Sequence, residues 1–325
     1  MKINIKLALF LVFLILSLSA CKGIDIRSGG SDDDDDAIER LDDAVQLDID
    51  LSGSLQNPAF INGGESIVFT RFRDGYNEGA SDLFIYNLDT KTLQPLIFDG
   101  KNNVNIPGSV WDDTSNTIVF SSDKDAHDEI FIISDTGSTG DETQLTNRDD
   151  KQSFEPTFSP DGNWVVFESH NINTTINGVI TKFKVDGSSE YIDLTSSAGD
   201  SRQPNWSPHG NKILYQKIES GNWVIWVMDD DGTNHQRITS TNEDNTDASF
   251  SFDGQWIYYS SENNNVELAN IYRIFATGGE PRRITNYSGY DGAPSISPDD
   301  TTVVFESADE EPEDSEGTTL WMIDL

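Results

Sequence analysis

Pro156-Thr157-Phe158-Ser159-Pro160-Asp161-Gly162-Asn163-Trp164-Val165-Val166-Phe167 is the stretch that decides the fold. Its frame returns at residues 204–215 (PNWSPHGNKILY), 248–259 (ASFSFDGQWIYY) and 294–305 (PSISPDDTTVVF), and in two worn copies at 58–69 (PAFINGGESIVF) and 109–120 (SVWDDTSNTIVF). In all six copies the first residue and the closing aromatic stand eleven apart. Each copy opens with a large apolar anchor: Phe60, Trp111, Phe158, Trp206, Phe250 or Ile296. A Ser-Pro-Asp-Gly type turn follows, in which proline presets φ and glycine accepts a positive φ. An apolar strand closes the copy.

Outward from each copy lies a third apolar strand, such as Val224-Ile225-Trp226-Val227-Met228, then a polar turn such as Asp229-Asp230-Asp231-Gly232. A short fourth strand ends in Gln144-Leu145-Thr146, Asp193-Leu194-Thr195, Arg237-Ile238-Thr239 or Arg283-Ile284-Thr285. Four antiparallel strands recurring every 44 to 51 residues define a propeller blade. One blade cannot bury both faces of its sheet, whereas a closed ring of blades can. The pattern predicts an all-β, six-bladed β-propeller over residues 44–325. The sixth copy stops after its third strand, and residues 45–51 (VQLDIDL) alternate apolar and polar as a half-buried strand does. That N-terminal strand is expected to pair into the last blade and close the ring, removing an exposed edge.

Ahead of the repeats, Lys2 and Lys6 precede an apolar run at residues 7–18 that is short for a membrane span. Leu18-Ser19-Ala20-Cys21 then resembles the bacterial lipobox, so residues 1–20 read as a lipoprotein signal peptide and Cys21 as the lipidation site. Cys21 is the single cysteine, which excludes an intrachain disulfide. Residues 21–43 read as the acylated cysteine and a flexible acidic tether, with Ser28-Gly29-Gly30-Ser31 and five consecutive aspartates at 32–36. The resemblance implies an exported protein anchored to the bilayer by lipid, at the outer membrane facing periplasm or surface in a Gram-negative host.

The repeats resemble the TolB-type propeller family, whose P-x-W-S-P-D-G signature is matched best at residues 156–162 and 204–210, where His209 replaces the aspartate. TolB proteins carry a further α/β domain before the propeller, for which this reading leaves no room, so the Tol role is not carried over whole. The family implies peptide binding where the loops entering the innermost strands converge. Asn57, Glu155, Gln203 and Asp247, with Asp200, Arg202 and Asp291 a little upstream, are the expected lining: carboxylates and amides able to hold a cation, a basic peptide segment or a sugar.

Composition and motifs narrow the chemistry. A net charge of −36, from 57 acidic and 21 basic residues, opposes binding to nucleic acid or anionic headgroups. Gly-x-Ser-x-Gly, His-Glu-x-x-His and a phosphate-binding Gly-x-x-x-x-Gly-Lys are all missing from the sequence, which argues against a prolyl oligopeptidase-like enzyme. No catalytic residue, metal site or cofactor is assigned. His127 and His170, placed just after second strands, could share zinc or manganese. Calcium could be held by residues 32–36, 229–232 or the acidic loop 309–316, each of which otherwise reads as solvated chain or an ordinary turn. The expectation is a monomeric, non-enzymatic envelope scaffold that engages a protein or peptide. The alternative is a carbohydrate-active enzyme similar to the oligogalacturonate lyases, which would require a histidine-rich metal cluster at the mouth.

Overall fold

The computed structural model describes residues 40–107, 111–112, 115–125, 127–172, 174, 176–188, 190–262, 268–312 and 317–325. Cys21, the lipobox, the aspartates at 32–36 and residues 313–316 lie outside them. The described chain forms six antiparallel sheets arranged as a β-propeller. Blade 3 shows the common plan: innermost strand Lys151–Phe158, then Trp164–Asn171, Val179–Lys184 and the outer Tyr191–Asp193, paired in that order. In blade 2 the innermost strand is split into Val104–Asn105 and Trp111–Asp112, both paired to Thr117–Ser122.

Apolar clusters at the junctions hold the blades together, and the repeat anchors are their centrepieces. Four anchors pack visibly on the preceding blade. Trp206 of blade 4 sits with Val166 and Ile180 of blade 3. Phe250 of blade 5 sits with Leu214 and Ile225 of blade 4, and Ile296 of blade 6 with Tyr258 and Ile271 of blade 5. Phe60 of blade 1 packs with Val304 and Leu320 of blade 6, so the ring closes.

The closing strand is where the alternation placed it. Val45–Gln46 pairs antiparallel with the last strand, Val45 opposite Met322 and Gln46 opposite Trp321. Ladder pairing is shorter than the alternation suggested. Leu47 N–H still donates to Leu320 O, but Ile49 and Leu51 then donate to the carbonyls two residues back. These tight turns leave the strand direction while keeping Leu47, Ile49 and Leu51 on the core between blades 6 and 1.

Just upstream, Arg40 docks on the seam between blades 5 and 6. Its guanidinium pairs with the fully buried Asp291 at 2.6 Å and donates to Ser307. It also lies 4.0 Å from the Tyr287 ring and 4.4 Å from that of Trp321.

The Ser-Pro-Asp-Gly turns explain their own sequence. In blade 3, Ser159 Oγ donates to Asp161 Oδ1 and accepts from Trp164 N–H, while Gly162 takes φ 66°. Ser207, Ser251 and Ser297 accept the corresponding N–H of Lys212, Trp256 and Thr302. His209, in the aspartate's place, reaches the carbonyl of Asp253 in the next blade. The terminal threonines act as clips: Thr146, Thr195, Thr239 and Thr285 each accept a third-strand N–H through the hydroxyl. Residues 229–232 form a hairpin turn, Gly232 N–H donating to Asp229 O.

Candidate functional site

The inner strands carry a second recurring feature besides their anchors. In five blades the pairing with the second strand slips, between Gln56 and Ala59, Phe154 and Thr157, Arg202 and Asn205, Thr246 and Ser249, and Gly292 and Ser295. Each slip is a bulge, and in four of them it contains a proline (Pro58, Pro156, Pro204, Pro294). Proline has no N–H to give to the ladder and so fits an unpaired position. The residue before each proline, and before Ala248 in the fifth bulge, has a left-handed backbone: Asn57 φ 51°, Glu155 51°, Gln203 46°, Asp247 51° and Ala293 48°.

Those five residues, with Pro107 of blade 2, line one narrow cavity of about 20 Å³. Every blade contributes to it, which places it on the ring axis. Four of the residues expected at the mouth, Asn57, Glu155, Gln203 and Asp247, therefore meet here. The other three do not line it. Asp200 and Arg202 pair with each other at 2.8 Å beside the Trp223 ring, and Asp200 also accepts Gly178 N–H. Burial pushes the Asp200 carboxyl up, but these two donors outweigh it and hold it below the usual range. Asp291 is enclosed with Arg40 at the seam.

The second strands carry a belt of polar residues at the position after each closing aromatic: Thr70, Ser121, Glu168, Gln216, Ser260 and Glu306. Three of them accept the N–H of the left-handed residue in the following blade: Glu306 from Asn57 at 2.9 Å, Glu168 from Gln203 at 3.1 Å, and Ser260 from Ala293 at 3.1 Å. The two glutamates went unnoticed as site residues in the sequence. Their signal is the pentapeptide Val-Val-Phe-Glu-Ser, identical at residues 165–169 and 303–307, three blades apart and so facing each other across the ring.

The result is a buried cluster of carboxyl groups that hold their protons more tightly than exposed ones. Burial, with Glu168 and Asp247 nearby, pushes the Glu155 carboxyl up to about 8. Burial does the same to Glu306, also to about 8, although Asn57 N–H, Tyr76 and Tyr290 stabilise its charged form and Asp247 opposes it. Burial raises Asp247 as well, against the pull of Thr246, Gln203 and Ser260. Glu155 accepts from Asn105 Nδ2. Gln203 bridges to Asp247 twice: Nε2 donates to Oδ1 at 2.8 Å and Oε1 accepts the backbone N–H at 3.1 Å.

The histidines are dispersed differently from expectation. His170 lies inside the strand Trp164–Asn171 rather than in a loop after it, buried with Nε2 2.6 Å from Glu168 Oε1. His127 faces Glu129 and the carbonyl of Arg148. Among the described residues no group of three or more His, Cys, Asp or Glu side chains is placed to hold a metal ion.

A closed six-bladed propeller with a polar axial cavity is the class these features define. A family profile described as the TolB beta propeller domain matches residues 43–217 and 187–316. The chain belongs to the TolB β-propeller family. It is 26% identical over 194 residues to the Tol-Pal system protein TolB of Francisella tularensis subsp. holarctica, a match spanning 59% of this chain and 42% of that one. The chain thus matches less than half the length of that relative. Among solved structures, a TolB candidate from Agrobacterium tumefaciens superposes with a TM-score of 0.64 at 20% identity, covering 77% of this chain and 86% of that one. The oligogalacturonate lyase of Vibrio parahaemolyticus superposes with 0.54 at 14% identity, covering 89% and 96%. At these identities both share the fold and nothing further is implied.

Proposed function

We propose that this chain is a non-enzymatic cell-envelope scaffold, tethered by lipid at Cys21, whose axial cavity engages a protein partner through a basic segment. The observation that carries the reading is the set of left-handed residues around the cavity. A non-glycine residue in this conformation costs about 1 kcal/mol, and glycine would remove that cost. Four of the five positions nevertheless hold Asn57, Glu155, Gln203 and Asp247, polar side chains directed at one small space. Backbone strain retained around a cavity points to a use for the side chains. Carboxylates raised by burial are eased by a cation, so a lysine or arginine side chain is the complementary group.

The relatives' membership in the Tol-Pal system supports an envelope setting with a protein partner, and among the described residues no helix is long and apolar enough to cross a membrane. Site-specific photocrosslinking in intact cells tests the proposal. A crosslinker at Asn57 is expected to capture a discrete envelope protein through a lysine- or arginine-containing peptide, and one at Asp253, on a Ser-Pro-Asp-Gly type turn, is not. Capture from both positions alike, or from neither, contradicts it. Cleavage of oligogalacturonate by the same protein would favour the lyase reading instead.

A further inference from the structure

Within the belt of polar residues, Gln216 differs from the three residues that accept a backbone N–H of the next blade. Gln216 of blade 4 holds the register position of Glu168, Ser260 and Glu306: it pairs across from Arg202, as they do from Phe154, Thr246 and Gly292. Those three side chains each accept the N–H of the next blade's left-handed residue. The counterpart for Gln216 is Asp247 N–H, yet that group donates to Gln203 Oε1 instead. Gln216 Oε1 is left buried without a hydrogen-bond partner, on a side chain only 6% exposed. An orphaned buried acceptor costs about 1–3 kcal/mol, which an arrangement that satisfies it recovers.

We infer that Gln203 is a displaceable latch across the axial cavity and Gln216 the acceptor that receives Asp247 N–H when the latch swings away. In the latched state Gln203 occupies both the backbone N–H and the carboxylate of Asp247. When Gln203 leaves, Gln216 Oε1 satisfies the N–H as its register equivalents do, and the Asp247 carboxylate is released to face an incoming cation. The exchange conserves hydrogen bonds to the Asp247 backbone. The gain is an Asp247 Oδ1 relieved of Gln203, with Thr246 still donating to Oδ2, and a satisfied Gln216. This deepens the proposed function, because it makes Gln203 and Gln216 positioning residues for the same basic ligand, but the handover itself belongs to the empty protein.

Hydrogen exchange at the Asp247 amide, measured on the full chain without ligand, reads the handover directly. Gln203→Ala is expected to leave this amide protected within about threefold of wild type, because Gln216 takes over. Gln216→Leu alone is expected to leave it protected by Gln203. Only the double variant should lose protection, by tenfold or more, and Gln216→Glu in the Gln203→Ala background should restore it. Loss of protection in Gln203→Ala alone, or additive small losses, overturns the inference. Binding of a blocked Gly-Ser-Arg-Ser-Gly peptide, measured separately, reads the proposed function. Gln203→Ala should tighten that binding and Gln216→Leu weaken it; a handover seen without peptide binding would retain the latch and reject the ligand.

Discussion

Five of the innermost strands place a residue in the left-handed conformation at a bulge, and in four of those blades the Ser-Pro-Asp-Gly type turn that follows repeats the demand; the two positions answer with opposite chemistry. At four turns the residue is Gly162, Gly210, Gly254 or Asp300, and the serine three positions earlier carries the hydrogen bonding each time. At the bulges it is Asn57, Glu155, Gln203, Asp247 or Ala293, never glycine. Equal backbone strain is relieved by composition in one region and tolerated in the other. The turn is therefore built for the fold alone, whereas the bulge carries side chains that the fold does not require.

Substitutions at the two positions should separate these roles. The largest effect is expected from Trp206→Ala, which removes the anchor beneath a bulge and the packing on Val166 and Ile180; a loss of about 3–5 kcal/mol in urea unfolding is expected for a buried tryptophan. At the turns, Ser159→Ala deletes the acceptor for Trp164 N–H and should cost about 1 kcal/mol with no change in peptide binding. Glu155→Gly is the mirror experiment. It should raise stability by about 1 kcal/mol by relieving the backbone and reduce peptide binding several-fold by calorimetry. A loss of stability there would show that the fold itself needs the glutamate.

The smallest effect is a pH dependence. Glu155 and Glu306 titrate near 8 in the folded chain and near 4.3 when unfolded. Between those values the folded state binds more protons, so their contribution is full below about 4.3 and is lost as pH rises through 8. Glu306→Gln should therefore gain on wild type in denaturation midpoint as pH goes from 5 to 9. A constant difference across that range would place the carboxyl in a wetter site.

The same contrast explains what could be read from residues alone. The turns, the anchors and the closing pairing of Val45 with Met322 follow from local pattern and from period, and they were legible. Asn57, Glu155, Gln203 and Asp247 were legible too, because the anchor frame marks the place where each strand meets the axis. Their strained backbone was not, since it arises from a slip between strands that spacing cannot register. Arg40 and Asp291 stand 251 positions apart, and nothing near either announces the other. Asp291 was accordingly expected at the cavity, by analogy of position, and lies instead in the seam where Arg40 neutralises it. Glu168 and Glu306 resembled ordinary polar residues at strand ends; only their burial against the next blade's backbone gives them a part in the site.

The central claim is that the axial cavity selects a cationic side chain, and titration calorimetry of the full chain tests it most directly. The blocked Gly-Ser-Arg-Ser-Gly peptide should bind at least tenfold more tightly than its citrulline twin, lose affinity in raised salt, and fail to bind Asp247→Asn. Equal affinity for the two peptides, or arginine binding that survives Asp247→Asn unchanged, would contradict it.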